Sequence, residues 1–204
     1  MTLDEIADIG QKVFQRNTKV DEGGGLFPPS RYYAFFRRIC EEIKPGLSVV
    51  LGVCGGGDCY HMCLGNPHGV VVGVDVVYDH PEQLAYIQAN CRHFVFWQGG
   101  SVESAEKIFH EFGSIDLLFI DTIHTKEHTL KELRTYWPYL SKDAIVCFDD
   151  LHRPGMEEAW DTVPTPKIRM DFLHDGSPGI GGGFGVMVKS EGMTLPPRDY
   201  ELGN

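Results

Sequence analysis

The stretch Val49-Val50-Leu51-Gly52-Val53-Cys54-Gly55-Gly56-Gly57-Asp58 constrains the fold more than any other part of the chain. An apolar, β-branched run breaks into clustered glycines and then enters a helix-like segment, Cys59 to Leu64. A strand, a glycine turn and a helix start together make a ligand-binding device. Glycine lets the backbone pass close to a bound group, and the first turn of a helix offers N–H groups with no partner inside the helix.

The spacing decides between three ligands. A phosphate-gripping P-loop needs Lys and Ser/Thr directly after its last glycine, whereas Gly57 is followed by Asp58 and Cys59. A dinucleotide fingerprint needs G-x-G-x-x-G, and no register fits, because Tyr60 and Cys54 stand where glycine is required. The third ligand is S-adenosylmethionine (SAM). It lays no pyrophosphate on the helix and brings only the amino-acid end of methionine and one sulfonium, so its loop is looser. A second apolar run, Val70-Val71-Val72-Gly73-Val74-Asp75, ends in a carboxylate 23 positions after Gly52. That is close to the roughly 20-residue spacing of an adenosine site, where an acid accepts both ribose hydroxyls.

These motifs carry a resemblance. Val49 to Gly57, Val74-Asp75, Phe119-Ile120-Asp121 and Phe148-Asp149-Asp150 resemble the successive motifs of class I SAM-dependent methyltransferases. The likeness is greatest to small-molecule O-methyltransferases of secondary metabolism and the cephalosporin-hydroxylase-like group. It covers Leu47 to Lys189. The resemblance implies a Rossmann-like doubly wound sheet of about seven strands, mostly parallel with an antiparallel last strand. It also implies cofactor contacts from Gly52, Val53, Gly55, Gly57, Asp58, Asp75, Gly100, Ser101 and Asp121. Val50 stands where the family carries the acid that binds the methionine ammonium, which shifts that task to Asp58 or a backbone carbonyl.

Composition narrows the setting. The chain has 204 residues, enough for one domain with a full core. Its net charge of −11, without a Lys/Arg cluster, argues against a nucleic-acid substrate. No apolar run approaches the length of a membrane span, and the acidic N-terminus lacks a signal-peptide core, so a cytoplasmic protein is expected. The C-x4-C-x-H-x-C spacing of Cys54, Cys59, His61 and Cys63 is not a zinc pattern, which leaves free thiols in a reduced compartment.

Periodicity supplies the elements. A helix is expected from Thr2 to Gln15 with Leu3, Ile6, Ile9 and Val13 inward, then a glycine- and proline-rich link, Asp21 to Ser30, that serves as a connector or a lid. Ser30 caps a second helix, which ends at Pro45-Gly46. Residues 1–46 thus form an N-terminal helical segment, 47–190 the cofactor-binding domain and 191–204 a tail. Strands are expected at Leu47–Val53, Val70–Asp75, Phe94–Trp97, Ile115–Ile120 and Ala144–Phe148, with helices between them. Ser101 and Thr125 cap two of those helices. A shorter helix follows near Met156 to Thr162, and Ile168–Phe172 and Phe184–Val188 form a closing pair. Strict alternation means a parallel sheet with its ligand at the carboxyl ends of the strands.

Two more strands end in acids there, bringing Asp121, Asp149 and Asp150 to one edge. Three converging carboxylates repel one another, and a hard divalent cation, Mg²⁺, resolves the repulsion; it would lower the pKa of a substrate hydroxyl. The resemblance assigns the same acids to a metal. Related sequences read Ile-Asp-Gly-Asp-His where this chain has Ile120-Asp121-Thr122-Ile123-His124, so Ile123 replaces the second acid. The base then falls to His124 or His152. Gln98-Gly99-Gly100-Ser101 is small enough to seat adenine, with Gly100 in place of a family acid. Tyr32, Tyr33 and Phe27 are candidates for an aromatic acceptor pocket, with core packing the competing role of Phe27. The expected reaction is methyl transfer to a hydroxyl of a small molecule. Metal-free transfer to nitrogen or carbon, and a non-catalytic SAM or nucleoside binder, are the alternatives. Homo-oligomerisation is left open.

Overall fold

In the computed structural model of the chain, residues 1–16, 25–27, 30–77, 79–173 and 182–195 are described. The strands are β1 Leu47–Leu51, β2 Val70–Asp75, β3 Phe94–Gln98, β4 Ile115–Ile120, β5 Leu140–Phe148, β6 Lys167–Arg169 and β7 Gly185–Val188. The helices are α1 Leu3–Gln15, α2 Arg31–Ile43, α3 Gly57–Gly65, α4 Pro81–Asn90, α5 Ser101–Phe112, α6 Lys126–Tyr136 and α7 Met156–Thr162. The sheet runs β3-β2-β1-β4-β5-β7-β6. Its first five strands are parallel, and β7 pairs antiparallel with both β5 and β6. This is the Rossmann-like sheet the motifs imply.

Alternation along the strands builds a core on each face. Val50, Leu117, Phe119 and Cys147 pack beneath α1, α2 and α3, while Val49, Leu51, Leu118, Ile120 and Phe148 pack beneath α5, α6 and α7. Local signals start the helices. Thr2 and Glu5 form a capping box on α1, the Ser30 hydroxyl accepts from the Tyr32 amide, and the Thr125 hydroxyl accepts from the His128 amide.

Three expectations need correction. Gly100, not Ser101, is the cap residue of α5, and the Ser101 side chain is used elsewhere. The first closing strand is only Lys167–Arg169, because the chain turns into a 3-10 segment at Asp171–Leu173. The third helix starts at Gly57, two residues before Cys59. The Asp21–Ser30 link, the glycine-rich run from Gly176 and the end of the tail lie largely outside the described residues.

The site is placed by topology. The chain crosses from β1 outward to β2 and β3, then returns to lay β4 and β5 on the opposite side of β1. The order therefore reverses between β1 and β4, and a crevice opens at their carboxyl ends.

Candidate active site

Hydrogen bonding continues one residue past the strands and fixes the rim. The Gly52 amide donates to the Val74 carbonyl (2.9 Å), Asp121 to Leu51 (2.9 Å), Asp149 to Ile120 (3.1 Å) and Gly99 to Asp75 (2.9 Å). Gly52, Asp121 and Asp149 thus stand in a row. Gly52 has φ +87°, and a Cβ there would lie 1.9 Å from the Asp121 carbonyl oxygen, so only glycine permits this approach. Cys54, His124 and Asp150 also take left-handed backbone angles (φ 47°, 52° and 53°). Left-handed residues other than glycine are uncommon and gather at functional sites.

Two cavities meet over this rim. One, of about 330 Å³, is lined by Gly52, Cys54, Asp75, Val76, Gly99, Gly100, Ser101, Asp121, Thr122, Ile123 and His128. The other, of about 320 Å³, is lined by Ser30, Tyr32, Tyr33, Val53, Cys54, Gly55, Gly56, Gly57, Asp58, Asp121 and Asp149. Cys54 and Asp121 belong to both. Every expected cofactor contact lines one cavity or the other.

Asp75 does two things. Its Oδ2 accepts from the amides of Val53 (2.8 Å) and Cys54 (3.2 Å), and so ties the glycine turn to the end of β2. Oδ1 accepts from the Val77 amide at 3.3 Å. A carboxylate has about four acceptor positions, so capacity for a ligand remains.

In the second cavity Asp58 is 5 % exposed and its Oδ1 accepts from the Cys59 amide at 2.7 Å. Burial, reinforced by Asp149 and opposed by the Cys59 amide, raises its pKa to about 7. The wall opposite is aromatic. Tyr33 stacks on buried His61 (centroids 5.0 Å, planes 9° apart), whose Nδ1 hydrogen-bonds the Gly57 carbonyl at 2.7 Å. A Cβ at Gly57 would fall 2.3 Å from the Tyr33 ring, so this glycine makes room for the wall. Phe27 lines neither cavity; it is buried and stacks on Tyr60 at 4.9 Å.

The acids do converge, though unequally. Asp121 and Asp149 lie within hydrogen-bonding reach of each other, and burial, then Asp149, Asp58 and Asp150, hold the Asp121 carboxyl well above the usual range. Asp150 is committed elsewhere: its Oδ1 accepts from the Gly182 amide (2.6 Å) and its Oδ2 from Arg153 Nε. His124 Nε2 lies 3.5 Å from Asp121 Oδ1 and 3.4 Å from Asp150 Oδ2. Burial lowers its pKa, against the pull of Asp150, so the ring is neutral near pH 7. His152 turns away to Asp171, Nε2 to Oδ2 3.2 Å.

A buried polar network under the first cavity escapes a sequence reading. Glu132, 0 % exposed, accepts from the hydroxyls of Ser101 (2.5 Å) and Thr122 (2.9 Å) and lies 3.0 Å from His128 Nε2. The Tyr136 hydroxyl donates to the Ser101 carbonyl at 2.8 Å. The available signal was spacing: Thr129, Glu132, Leu133 and Tyr136 share the inner face of α6.

Comparison with known proteins agrees with the fold. A methyltransferase-domain family model matches residues 49–151, half of the chain. No curated protein matches it. Among solved structures, an O-methyltransferase from Bacillus cereus in complex with SAH is similar at 16% identity, TM-score 0.65, with 90% of each chain covered. The O-methyltransferase TomG from Streptomyces achromogenes, involved in tomaymycin synthesis and in complex with SAM, is similar at 12% identity, TM-score 0.64, covering 91% of this chain and 89% of that one. Cofactor-bound Rv0187 from MTB is similar at 15% identity, TM-score 0.64, covering 92% and 91%. A matched family model over half the chain, on the sheet order and glycine rim described above, places this protein in the class I SAM-dependent methyltransferase family.

Proposed function

We propose that the protein transfers the methyl group of SAM to a hydroxyl of a small molecule. The observation that carries this reading is the pair of cavities joined at Cys54 and Asp121. SAM has the shape to bridge them. Its adenosine fits the cavity of Asp75, Gly99, Gly100 and Ser101. Its methionine end fits that of Gly55, Gly57 and Asp58, where the Asp58 carboxylate takes the ammonium that Val50 cannot. The sulfonium then lies at the ridge beside Asp121, and the acceptor enters against Tyr32, Tyr33 and Asp149. The O-methyltransferases among the structural neighbours support oxygen as the acceptor atom.

The chemistry is an in-line displacement. The hydroxyl oxygen attacks the methyl carbon, the carbon–sulfur bond breaks, and the sulfonium leaves as the neutral thioether of SAH. Orientation is the protein's main contribution, about 7–11 kcal/mol in favourable cases. The hydroxyl proton must go to a base. Asp121 and Asp149 face the cavity, and the raised pKa of Asp121 makes it a stronger base than an ordinary carboxylate. His124, which lines neither cavity, touches Asp121; its lowered pKa makes it the weaker base, so it orients that carboxyl rather than taking the proton from it. His152, paired with Asp171, takes no part in this route.

The three-carboxylate metal site does not fit this donor set. Asp121 and Asp149 meet, but the Asp150 carboxylate is already paired with the Arg153 guanidinium, a positive charge where a divalent cation would have to sit. Among the described residues no group of three or more His, Cys, Asp or Glu could hold a metal ion. No step is therefore routed through Mg²⁺. Turnover with a panel of catechols and simple alcohols, before and after EDTA, tests the reading. EDTA-insensitive methylation supports the carboxylate route, and activity restored only by Mg²⁺ would return a metal to Asp121 and Asp149. SAM binding with no turnover on nitrogen, carbon or oxygen acceptors would favour a non-catalytic binder.

A further inference from the structure

A groove of about 710 Å³, larger than either cavity at the rim, runs between α1 and α2. The two helices are antiparallel. Arg31, at the start of α2, stands 5.0 Å over the Phe14 ring near the end of α1, and Met1 shares a hollow with Ile43 and Lys44 at the opposite end. Antiparallel packing sorts the charges of the groove. Glu5 and Asp8 of α1 fall at the same end as Glu41 and Glu42 of α2, whereas Lys12 and Arg16 fall at the same end as Arg37 and Arg38. Buried Ile9, Val13 and Ala34 form the apolar floor. The groove is therefore acidic at one end, basic at the other and neutral as a whole, on a chain whose net charge is −11. Two copies of so acidic a chain repel each other over most of their surface, and this face is an exception.

We propose that the α1–α2 face binds a second copy of the chain, reversibly, about a two-fold axis that lies across both helices. Such an axis reverses the helix direction, so each copy's acidic end meets the other copy's basic end, as an isologous contact requires. Arg37 and Arg38 then face Glu41 and Glu42 of the second copy, and Lys12 faces Glu5 and Asp8 of the second copy. Ion pairs within each helix do not hold these charges back. Asp8–Lys12, Arg37–Glu41 and Arg38–Glu42 are i,i+4 pairs with side chains one-third or more exposed, and such pairs contribute about 0–1 kcal/mol, so their partners exchange at little cost. The area sets the strength. Two adjacent helices of 13 residues make a face of about 20 by 20 Å, so a dimer buries about 800 Å² in total, the scale of a weak association rather than an obligate one. The face lies apart from both cavities, and the proposal stands without the methyl-transfer reading.

Sedimentation of the full chain tests this. The wild type should pass from monomer to dimer between about 1 and about 300 µM, and raising NaCl to about 0.5 M should weaken the association roughly tenfold, because the contact depends on opposed charges. The double variants Arg37→Glu/Arg38→Glu and Glu41→Lys/Glu42→Lys should each stay monomeric, since like charges then meet across the axis. An equimolar mixture of the two should form a one-to-one heterodimer. These reversals also place like charges along α2, so the wild type is read independently of them. Carbodiimide treatment of mixed ¹⁴N- and ¹⁵N-labelled wild-type chains should give mixed-isotope peptides joining Lys12 to Glu5 or Asp8. A wild type that is monomeric at about 300 µM, a dimer that survives both reversals, or cross-links confined to a single isotope overturns the proposal.

Discussion

Asp75→Asn separates two roles of one carboxylate. In the structure Oδ2 anchors the glycine turn through the Val53 and Cys54 amides at 2.8 and 3.2 Å. In the proposed complex the same side chain also accepts from the ribose hydroxyls. Asparagine keeps one acceptor oxygen but loses the charge. Hydrogen bonds to a charged acceptor contribute about 1.5–3 kcal/mol and neutral ones about 0.5–1.5, so each anchoring bond weakens by about 1 kcal/mol. The side chain is partly exposed, which reduces the total to about 1–2 kcal/mol; for a chain of this size that lowers Tm by roughly 2–8 °C. The effect on the cofactor is larger, because the amide can serve only one ribose hydroxyl. The loss of one charged bond and the weakening of another amount to about 2–4 kcal/mol, or a Kd for SAH raised about 30- to 1,000-fold. Differential scanning fluorimetry and calorimetry measure the two effects separately. A ligand lacking the ribose 2′-hydroxyl makes the comparison a double-mutant cycle. The deoxy ligand should bind the wild type much less well than SAH and bind the variant almost equally. An Asp75→Asn variant that melts lower yet binds SAH within about threefold of wild type would show that the carboxylate is a turn anchor alone.

Further outcomes follow from the same geometry. Gly52→Ala should abolish SAH binding and lower Tm sharply, since its Cβ would lie 1.9 Å from the Asp121 carbonyl at φ +87°; wild-type binding would refute the close approach of β1 and β4. The pKa of Asp58, raised to about 7 by burial, means that the free folded protein holds a proton there that the unfolded chain has lost above about pH 4. The folded state therefore binds more protons between those values, and the stability of the ligand-free protein should fall as pH rises from 5 to 8, less so in Asp58→Asn. The ammonium requires the ionised acid, so SAM binding should release a proton below pH 7 and tighten as pH rises, readable by calorimetry in buffers of different ionisation enthalpy. Cys54 is the exposed thiol among six and lines both cavities, so SAH should protect it from iodoacetamide. Unchanged alkylation with saturating SAH would place the ligand elsewhere.

Much of this was legible in the chain because it depends on short-range patterns. Apolar runs leading to Gly52, Asp75, Asp121 and Asp149 announce strands, and strict alternation with helices places their ends on one edge. Helix starts at Thr2, Ser30 and Thr125 follow from side chains that cap their own backbone. What stayed hidden depends on contacts between distant elements. Asp149 and Asp150 are adjacent in sequence, yet one faces the cavity and the other is turned by a left-handed backbone toward Arg153 and Gly182. Nothing local distinguishes them. Glu132 looks like a solvated acid on a helix until Ser101 from α5 and Thr122 from the end of β4 are brought to it. His152 stands two residues after Asp150 but finds Asp171, 19 positions away, beyond the reach of any motif. The closing strand stops at Arg169, short of Phe172, because Phe172 and Leu173 are apolar for a different reason: they pack in a 3-10 turn against the N-terminal helices.

The helices of the described residues include none long and apolar enough to cross a membrane. The larger groove between α1 and α2, of about 710 Å³, is lined by Glu5, Asp8, Lys12, Arg37, Arg38 and Glu41 and lies apart from the rim.

A crystal structure of the protein with SAH bound measures the central claim most directly. The account predicts one ligand molecule bridging both cavities, its ribose hydroxyls within hydrogen-bonding distance of the Asp75 carboxylate, its sulfur beside Asp121 and its ammonium on Asp58. A ligand seated with its ribose away from Asp75, or with its sulfur away from the Cys54–Asp121 ridge, would contradict it.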